Sequence, residues 1–284
     1  MQKRDLLLSP LFIVGAPRSG TTWLQNLMLE SNYVFGGQES YFYSLFHPAF
    51  VSVSDDSDKR RVGLSSYWSE DDFRKQMHEV WINTFKSLCT PESKLLLEKT
   101  PFHALYVDKL ADFLPNAKFI HLIRDSRAVT ASLIAASKGW GDYWAPKKTK
   151  SAALEWYRHV KSAKYCDLIN DPSRFMEVHY EDLLAAPVPS IIKIFEFSGL
   201  PIDEKEIEQA VLNQSFSKRK QIGNVIPGVK SDIAREPEGF MRRGTADSWR
   251  SDLNFYQKLV VWRYTRKLMK EVGYNWKGRM ISGH

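Results

Sequence analysis

The stretch that most constrains the fold is LFIVGAPRSGTTWLQNLML, at residues 11–29. An apolar run of strand length leads into a loop that contains Gly15 and Gly20. After the loop, Leu24 and Leu27 recur at helical spacing. A strand, a glycine turn and a helix make the first half of a βαβ unit. The sequence therefore predicts an α/β fold around this loop.

The rest of the chain alternates between the two kinds of pattern. Further strands are predicted over 94–100, 118–124 and 174–180. Alternation of this kind predicts a mostly parallel central sheet with helices on both faces. No internal repeat or domain boundary is evident, so we expect one domain over residues 1–284. Helices are predicted over 21–31, 69–88, 103–114, 126–137, 150–169, 189–200 and 252–271, and a long basic loop over 217–240.

Composition limits the classes of function. The chain is 43% hydrophobic, enough for a proper core, and its net charge of +7 favours an anionic ligand or partner. Only two cysteines occur, Cys89 and Cys166, so a disulfide framework and a zinc cluster are not expected. The seven histidines lack metal-ligand spacing such as HExxH. We therefore expect no metal site.

The start of the chain, MQKRDLLLSPLFIVGA, is basic and then apolar, as a signal peptide is. Pro10 interrupts the run, which continues directly into the glycine loop. No run approaches the ~20 apolar residues of a membrane-spanning helix. The expectation is a cytoplasmic protein without a signal peptide or a membrane span.

The loop GAPRSGTT has the glycine spacing of a phosphate-binding loop but lacks its lysine. Such a loop directs backbone N–H groups at an anion, at the positive end of the next helix. A Walker loop adds a lysine after the second glycine, where this chain has Thr21, and a hydroxyl for Mg²⁺. The cation here is Arg18, inside the loop. One arginine with the hydroxyls of Ser19, Thr21 and Thr22 suits a less charged group than a triphosphate.

The segment PRSGTTWL resembles the 5′-phosphosulfate loop of sulfotransferases that use 3′-phosphoadenylyl sulfate (PAPS). IRDSRAVTAS resembles their 3′-phosphate motif, with Arg124 at a strand end and Ser132 eight residues later. FMRRGTADSW resembles their later glycine-containing loop, which also reaches the 3′-phosphate. The resemblance runs from residue 11 to about 250. It implies the sulfotransferase fold, PAPS as the sulfuryl donor and PAP as the product.

Residue by residue, the resemblance implies contacts with the adenine of PAPS and contacts with its phosphate and sulfate groups. Trp23, Tyr180 and Phe216 are expected beside the adenine. The full set of expected donor-binding residues is Pro17, Arg18, Ser19, Gly20, Thr21, Thr22, Trp23, Arg124, Ser132, Tyr180, Phe216, Arg242, Arg243 and Gly244.

The catalytic base stays open at this point. Sulfuryl transfer needs cations for the developing charge and a base for the acceptor hydroxyl. The resemblance assigns Arg18 and Lys99 to the transferring group, but EKTPF has Pro101 where one branch of the family has a histidine. The branch that sulfates glycans or protein tyrosines has a glutamate about 21 residues after the loop cation, and Glu39 lies 21 residues after Arg18. His103 is the alternative base.

The acceptor is expected to carry a hydroxyl, on a glycan, a lipid-linked group or a small alcohol. Its pocket is expected from 39–90, 139–149 and 217–240. Two alternatives compete with the sulfotransferase prediction: a P-loop kinase or NTPase, and a non-catalytic protein that binds an anion. No nucleic-acid-binding motif is found, so no nucleic-acid partner is expected. The candidate acceptor residues are Tyr41, Phe42, Trp140, Tyr143 and Trp144, with Lys147, Lys148 and Lys150 available for an anionic acceptor.

Overall fold

A computed structural model describes residues 3–54, 63–218, 237, 240 and 244–280. Its central sheet has five parallel strands in the order β2-β3-β1-β4-β5. The α/β class and the parallel sheet predicted from the sequence are confirmed, while the extent of one domain over 1–284 stays a prediction. The strands are β1 Leu11–Gly15, β2 Val34–Gly36, β3 Leu95–Lys99, β4 Lys118–Ile123 and β5 Phe175–His179.

Helices cover both faces of the sheet. Because strand side chains alternate, Phe12 and Val14 pack into one apolar cluster, and Leu11 and Ile13 pack into another on the opposite face. The helices are α1 Lys3–Leu7, α2 Thr21–Leu29, α3 Phe42–Ser54, α4 Glu70–Phe85, α5 Val107–Phe113, α6 Ser126–Ala136, α7 Thr149–Lys164, α8 Tyr180–Ala185, α9 Pro187–Ser198, α10 Glu204–Asn213, α11 Trp249–Asp252 and α12 Phe255–Glu271. A short antiparallel pair, β6 Tyr274–Asn275 and β7 Gly278–Arg279, follows α12.

Several helix boundaries differ from the prediction for local reasons. The helix predicted over 103–114 is two elements, a 3₁₀ turn at Pro101–Leu105 and then α5, because Tyr106 leaves helical geometry at φ −131°. The last helix begins at Phe255, where Asn254 and Gln257 form a capping box. Ser69 caps α4, as predicted, by accepting a hydrogen bond from the Asp72 N–H. The sequence patterns missed the remaining elements, which are α1, β2, α3, α8, α10, α11, β6 and β7.

The sheet brings the candidate residues to one edge. In the strand register Gly15 pairs with Leu122 of β4, and Ile13 pairs with Lys99 of β3. The glycine loop, Lys99 and Arg124 therefore all lie at the carboxyl ends of adjacent parallel strands. This is the edge at which open α/β sheets bind their ligands.

Candidate functional site

The glycine loop connects β1 to α2 and is held in a conformation that requires both of its glycines. Gly20 caps α2 at φ 102°, and a Cβ there would lie 2.5 Å from the Tyr180 ring. A Cβ on Gly15 would lie 2.5 Å from the carbonyl oxygen of Leu122. Arg18 also takes a positive φ, 73°, which is unusual for a residue other than glycine. The loop is therefore held tightly against β4 and α8.

The same loop offers several groups to an anion. The N–H groups in the first turn of a helix have no intrahelical acceptor, and they lie at the positive end of the helix dipole. The buried Ser19 hydroxyl has no hydrogen-bond partner within the described part of the chain. The loop borders a cavity of about 790 Å³ that Pro17, Arg18, Gly20, Thr21 and Thr22 help to line. Ser19 itself is fully buried and is not among the residues that line the cavity, so an anion seated here would meet Arg18, Thr21, Thr22 and the N–H groups of the first turn of α2.

A second cationic group meets the loop from β4 and α6. Arg124 donates from one terminal nitrogen to the Arg18 carbonyl (3.3 Å) and from the other to the Thr245 carbonyl (3.1 Å). Its buried Nε has no partner among the residues that the structure describes. The Arg18 Nε donates to the Ser132 hydroxyl at 3.1 Å, and both Arg124 and Ser132 line the cavity. The structure thus brings together residues from two motifs more than 100 positions apart.

Aromatic rings border the cavity next to these cations. The Trp23 and Tyr180 rings meet edge to face at 5.7 Å, and the Arg124 guanidinium lies 4.1 Å from the Tyr180 ring centre. Burial raises the pKa of Tyr180, so its hydroxyl remains protonated. A Cβ on Gly244 would lie 2.7 Å from the Phe216 ring, which also lines the cavity. Arg242 and Arg243, from the third motif, lie outside the described residues.

The two leading catalytic candidates form an ion pair, of which Glu39 lines the cavity and Lys99 lies buried behind it. The Lys99 ammonium donates to the Glu39 carboxylate at 2.6 Å. The Lys99 side chain is 5% exposed, whereas that of Glu39 is 29% exposed and lines the cavity. Burial, followed by the charge and the hydrogen bond of Glu39, raises the pKa of Tyr41. A carboxylate is therefore available at the cavity surface with a cation directly beside it.

His103, the alternative base, lies elsewhere. It is fully buried, its Nδ1 is 3.0 Å from the Glu98 carboxylate, and its ring packs edge-on against Phe12. At this point the cavity is lined by Pro101 and Phe102 rather than by His103. The imidazole is therefore separated from any ligand in the cavity.

The end of the cavity near Glu39 is mostly aromatic. Tyr41, Trp140, Tyr143 and Trp144 line it as predicted, together with Phe102 and Phe240. The Arg18 guanidinium lies 4.3 Å from the Phe240 ring centre and 5.1 Å from that of Trp140. The expectation for Phe42 is wrong, because Phe42 is a core residue packed on Trp81. Lys147, Lys148 and Lys150 are not among the described residues that line the cavity, and their contact with an anionic acceptor stays a prediction.

Comparison with known proteins identifies the chain's relatives. A model of the sulfotransferase family matches residues 10–204, more than half of the chain. The chain belongs to the sulfotransferase family. The resemblance stated from the three motifs is thereby confirmed at the level of the family.

Individual sulfotransferases are similar over different lengths. A Caenorhabditis elegans protein described as a protein-tyrosine sulfotransferase is 29% identical over 139 residues, which cover 46% of this chain and 52% of that protein. The chain therefore spans about half the length of that relative. Rat sulfotransferase 1C2 is 23% identical over 261 residues, 87% of this chain and 78% of that one. The solved structure of a mouse sulfotransferase complexed with PAP shares the fold, with a TM-score of 0.58 at 17% identity, covering 93% of this chain and 89% of that one.

Some residues of the sulfotransferase cavity gave no usable signal in the sequence. The Gln214 carbonyl accepts the Trp23 indole N–H at 3.2 Å, and a backbone group carries no motif. Glu155 of α7 lines the cavity, but from the sequence it is indistinguishable from a charged residue on the solvent-exposed face of a helix. Glu98 is different, because a lone carboxylate in the apolar strand LLLEK is a signal that sequence reasoning could have used.

Two further observations describe this sulfotransferase. None of the helices among the described residues combines the length and the apolar character needed to cross a bilayer. Within the same ranges, 3–54, 63–218 and 244–280, no cluster of three or more His, Cys, Asp or Glu side chains is arranged to hold a metal ion.

Proposed function

We propose that this protein transfers the sulfuryl group of PAPS to a hydroxyl group of an acceptor. The observation that carries the proposal is that a candidate anion-binding site and a candidate catalytic base border one cavity. A cationic cradle, formed by the glycine loop with Arg124 and Ser132, opens into the same space as Glu39, the carboxylate that the buried Lys99 binds. Family membership and the PAP in the related mouse structure support the same conclusion.

The cradle fits the donor, which would supply an activated sulfuryl group on a 5′-phosphate and a separate 3′-phosphate. The α2 N-terminus, with Arg18, Thr21 and Thr22 at the cavity surface, would hold the 5′-phosphosulfate, and the buried Ser19 stays a predicted contact. Arg124, with its unpartnered Nε, and Ser132 would hold the 3′-phosphate. Trp23, Tyr180 and Phe216 would border the adenine. Arg242, Arg243 and Gly244 stay predicted partners of the 3′-phosphate.

The chemistry assigned to the Lys99–Glu39 pair is proton removal and charge stabilisation. Glu39 accepts the proton of the acceptor hydroxyl while that oxygen bonds to sulfur, and the bond from sulfur to the 5′-phosphate oxygen breaks. The phosphate leaves with the bonding electrons, and Lys99 and Arg18 stabilise the negative charge that develops on it. Lys99 must therefore exchange its contact with Glu39 for one with the transferring group. Glu39 is preferred to His103 as the base because Glu39 lines the cavity.

For the acceptor we propose an alcohol or phenol with an apolar body. Aromatic rings dominate the end of the cavity near Glu39, and apolar or planar groups bind well against such walls. The carboxylates of Glu39 and Glu155 line this region, which disfavours a polyanionic glycan. We therefore expect transfer to hydrophobic alcohols to exceed transfer to acidic sugars in a screen with ³⁵S-labelled PAPS. The opposite order would contradict this proposal for the acceptor.

The donor is tested first by isothermal titration calorimetry with PAP and, separately, with ATP and Mg²⁺. We expect PAP to bind, and Arg124→Ala to weaken binding about 10- to 100-fold because charge-assisted hydrogen bonds are lost. Arg74→Ala is the matched control, since Arg74 lies on α4 and pairs with Asp112 and Glu70 away from the cavity. Binding of ATP with Mg²⁺ but not of PAP would instead favour a P-loop kinase or NTPase.

A further inference from the structure

Two consecutive residues at the end of β3 hold the short segment that carries the proposed base. The Glu98 Oε1 accepts hydrogen bonds from the Ser40 hydroxyl (2.7 Å) and the Ser40 N–H (3.3 Å). The next residue, Lys99, binds the Glu39 carboxylate at 2.6 Å. Successive side chains of a strand point to opposite faces. Glu98 and Lys99 therefore contact Ser40 and Glu39 from opposite faces of β3.

A third contact joins the next residue of each segment, Thr100 after β3 and Tyr41 after Ser40. The Thr100 hydroxyl accepts a hydrogen bond from the Tyr41 N–H at 3.3 Å and donates one to Glu98 at 2.6 Å. Tyr41 has a φ of 50°, in the left-handed region that a residue with a large side chain adopts only when its surroundings hold it there. Glu98 thus binds Ser40 directly and also orients the hydroxyl that holds Tyr41.

The Glu98 carboxylate is fully buried, and its bonds explain how the fold tolerates it. A buried charge is unfavourable unless it is paired and hydrogen-bonded. Besides Ser40 and Thr100, its partner is His103, whose Nδ1 lies 3.0 Å from Oε2. Burial acts to raise the pKa of Glu98, but the nearby His103 and the three side-chain hydrogen bonds outweigh it and lower the pKa.

We infer that Glu98, with His103 as its buried partner, is a positioning residue that holds residues 39–41 so that the Glu39 carboxylate stays at the cavity wall beside Lys99. The inference rests on the proposed function, in which Glu39 is the base. It gives His103 a role without contact with the ligand. Glu98 itself does not touch the substrates, so it acts through Ser40 and Thr100.

The kinetic test compares Glu98→Gln with Glu177→Gln. Glu177 is another carboxylate paired with a histidine, His121, and it lies on β5, at the opposite edge of the sheet from β2 and β3. We expect Glu98→Gln to lower kcat about 10- to 100-fold, the scale for a displaced catalytic group, with little change in the KM for PAPS. Glu177→Gln should leave both constants nearly unchanged.

A second variant, Ser40→Ala, removes the other partner of the Ser40–Glu98 hydrogen bond and serves if Glu98→Gln does not fold. Ser40→Ala removes one hydrogen bond to Glu98, so we expect kcat to fall about 3- to 10-fold. The effects of Glu98→Gln and Ser40→Ala should not add, because both variants break one network. Additive effects would overturn the inference.

A structural readout separates this inference from the proposed function. In the wild-type protein the amides of Ser40 and Tyr41 are hydrogen-bonded, so hydrogen exchange should be slow at both. In Glu98→Gln it should become fast there while the Leu95–Leu97 amides stay protected. Retained protection at Ser40 and Tyr41, or lost protection with an unchanged kcat, overturns the inference. Failure of the proposed function shows instead in the wild-type protein, as an absence of sulfuryl transfer.

Discussion

The two ends of the cavity are built differently. The donor end consists of a loop fixed by Gly15 and Gly20 and of cations bonded to backbone carbonyls. The acceptor end consists of aromatic side chains that are partly exposed, such as Tyr143 at 84% and Tyr41 at 42%. A rigid polar cradle selects one ligand, whereas exposed rings accommodate many apolar bodies. We therefore expect the donor end to be the more selective of the two.

The largest expected effect lies where the two ends meet, at the proposed base. Glu39→Gln removes the proton acceptor, so we expect kcat to fall about 10²- to 10⁴-fold in a transfer assay, with unchanged PAP affinity. Glu155→Gln is the matched control, because it is another cavity carboxylate of similar exposure, 26% against 29% for Glu39. Its effect should be within tenfold. Equal losses in the two variants would contradict the assignment of Glu39 as the base.

A smaller effect is expected at the donor end from an added methyl group. Gly20→Ala forces a Cβ against the Tyr180 ring at a φ of 102°, which should lower the free energy of unfolding by about 1–3 kcal/mol and weaken PAP binding. Thermal melting and calorimetry measure the two quantities. Gly139→Ala is the control, since a Cβ there meets nothing within 4 Å. If both variants bind PAP like the wild type, the donor end is less rigid than described.

The smallest effect is expected at the acceptor end. Tyr143→Ala removes one exposed ring, so the KM for an apolar alcohol should rise about 2- to 10-fold while the Kd for PAP stays constant. Tyr67→Ala removes a ring of equal exposure, 83%, that does not line the cavity. A change in PAP affinity on removing Tyr143 would show that the two ends are not independent.

The same contrast explains what the sequence could predict. Four of the five sheet strands follow from apolar runs between loop signals, and only the three-residue strand β2 is too short for a pattern to show. The donor end is predictable because its residues follow strand ends, and parallel strands bring their carboxyl ends to one edge. That rule places Arg18 and Arg124 at one edge, and the resemblance to the sulfotransferase motifs implied that Ser132 lies with them.

The acceptor end depends on tertiary contacts that no local pattern encodes. Phe42 and Tyr41 are neighbours in the sequence, yet one packs on Trp81 in the core and the other lines the cavity. The left-handed φ of Tyr41 separates them, and it is held by Thr100, far along the chain. Phe240 similarly reaches Arg18 across 222 positions of sequence. The burial of Phe42 and the contact of Phe240 with Arg18 become visible only when the fold is known, although Tyr41 was expected at the cavity from the sequence.

The measurement that tests the central claim most directly is single-turnover transfer from ³⁵S-labelled PAPS to a hydrophobic alcohol, with wild-type protein and Glu39→Gln side by side. We expect labelled product and PAP in equal amounts with the wild-type protein, and a much slower reaction with Glu39→Gln. A wild-type protein that binds PAPS tightly but forms no labelled product with any hydroxyl acceptor in the screen would contradict the proposed sulfuryl transfer. The chain would then be a PAPS-binding protein without transfer activity.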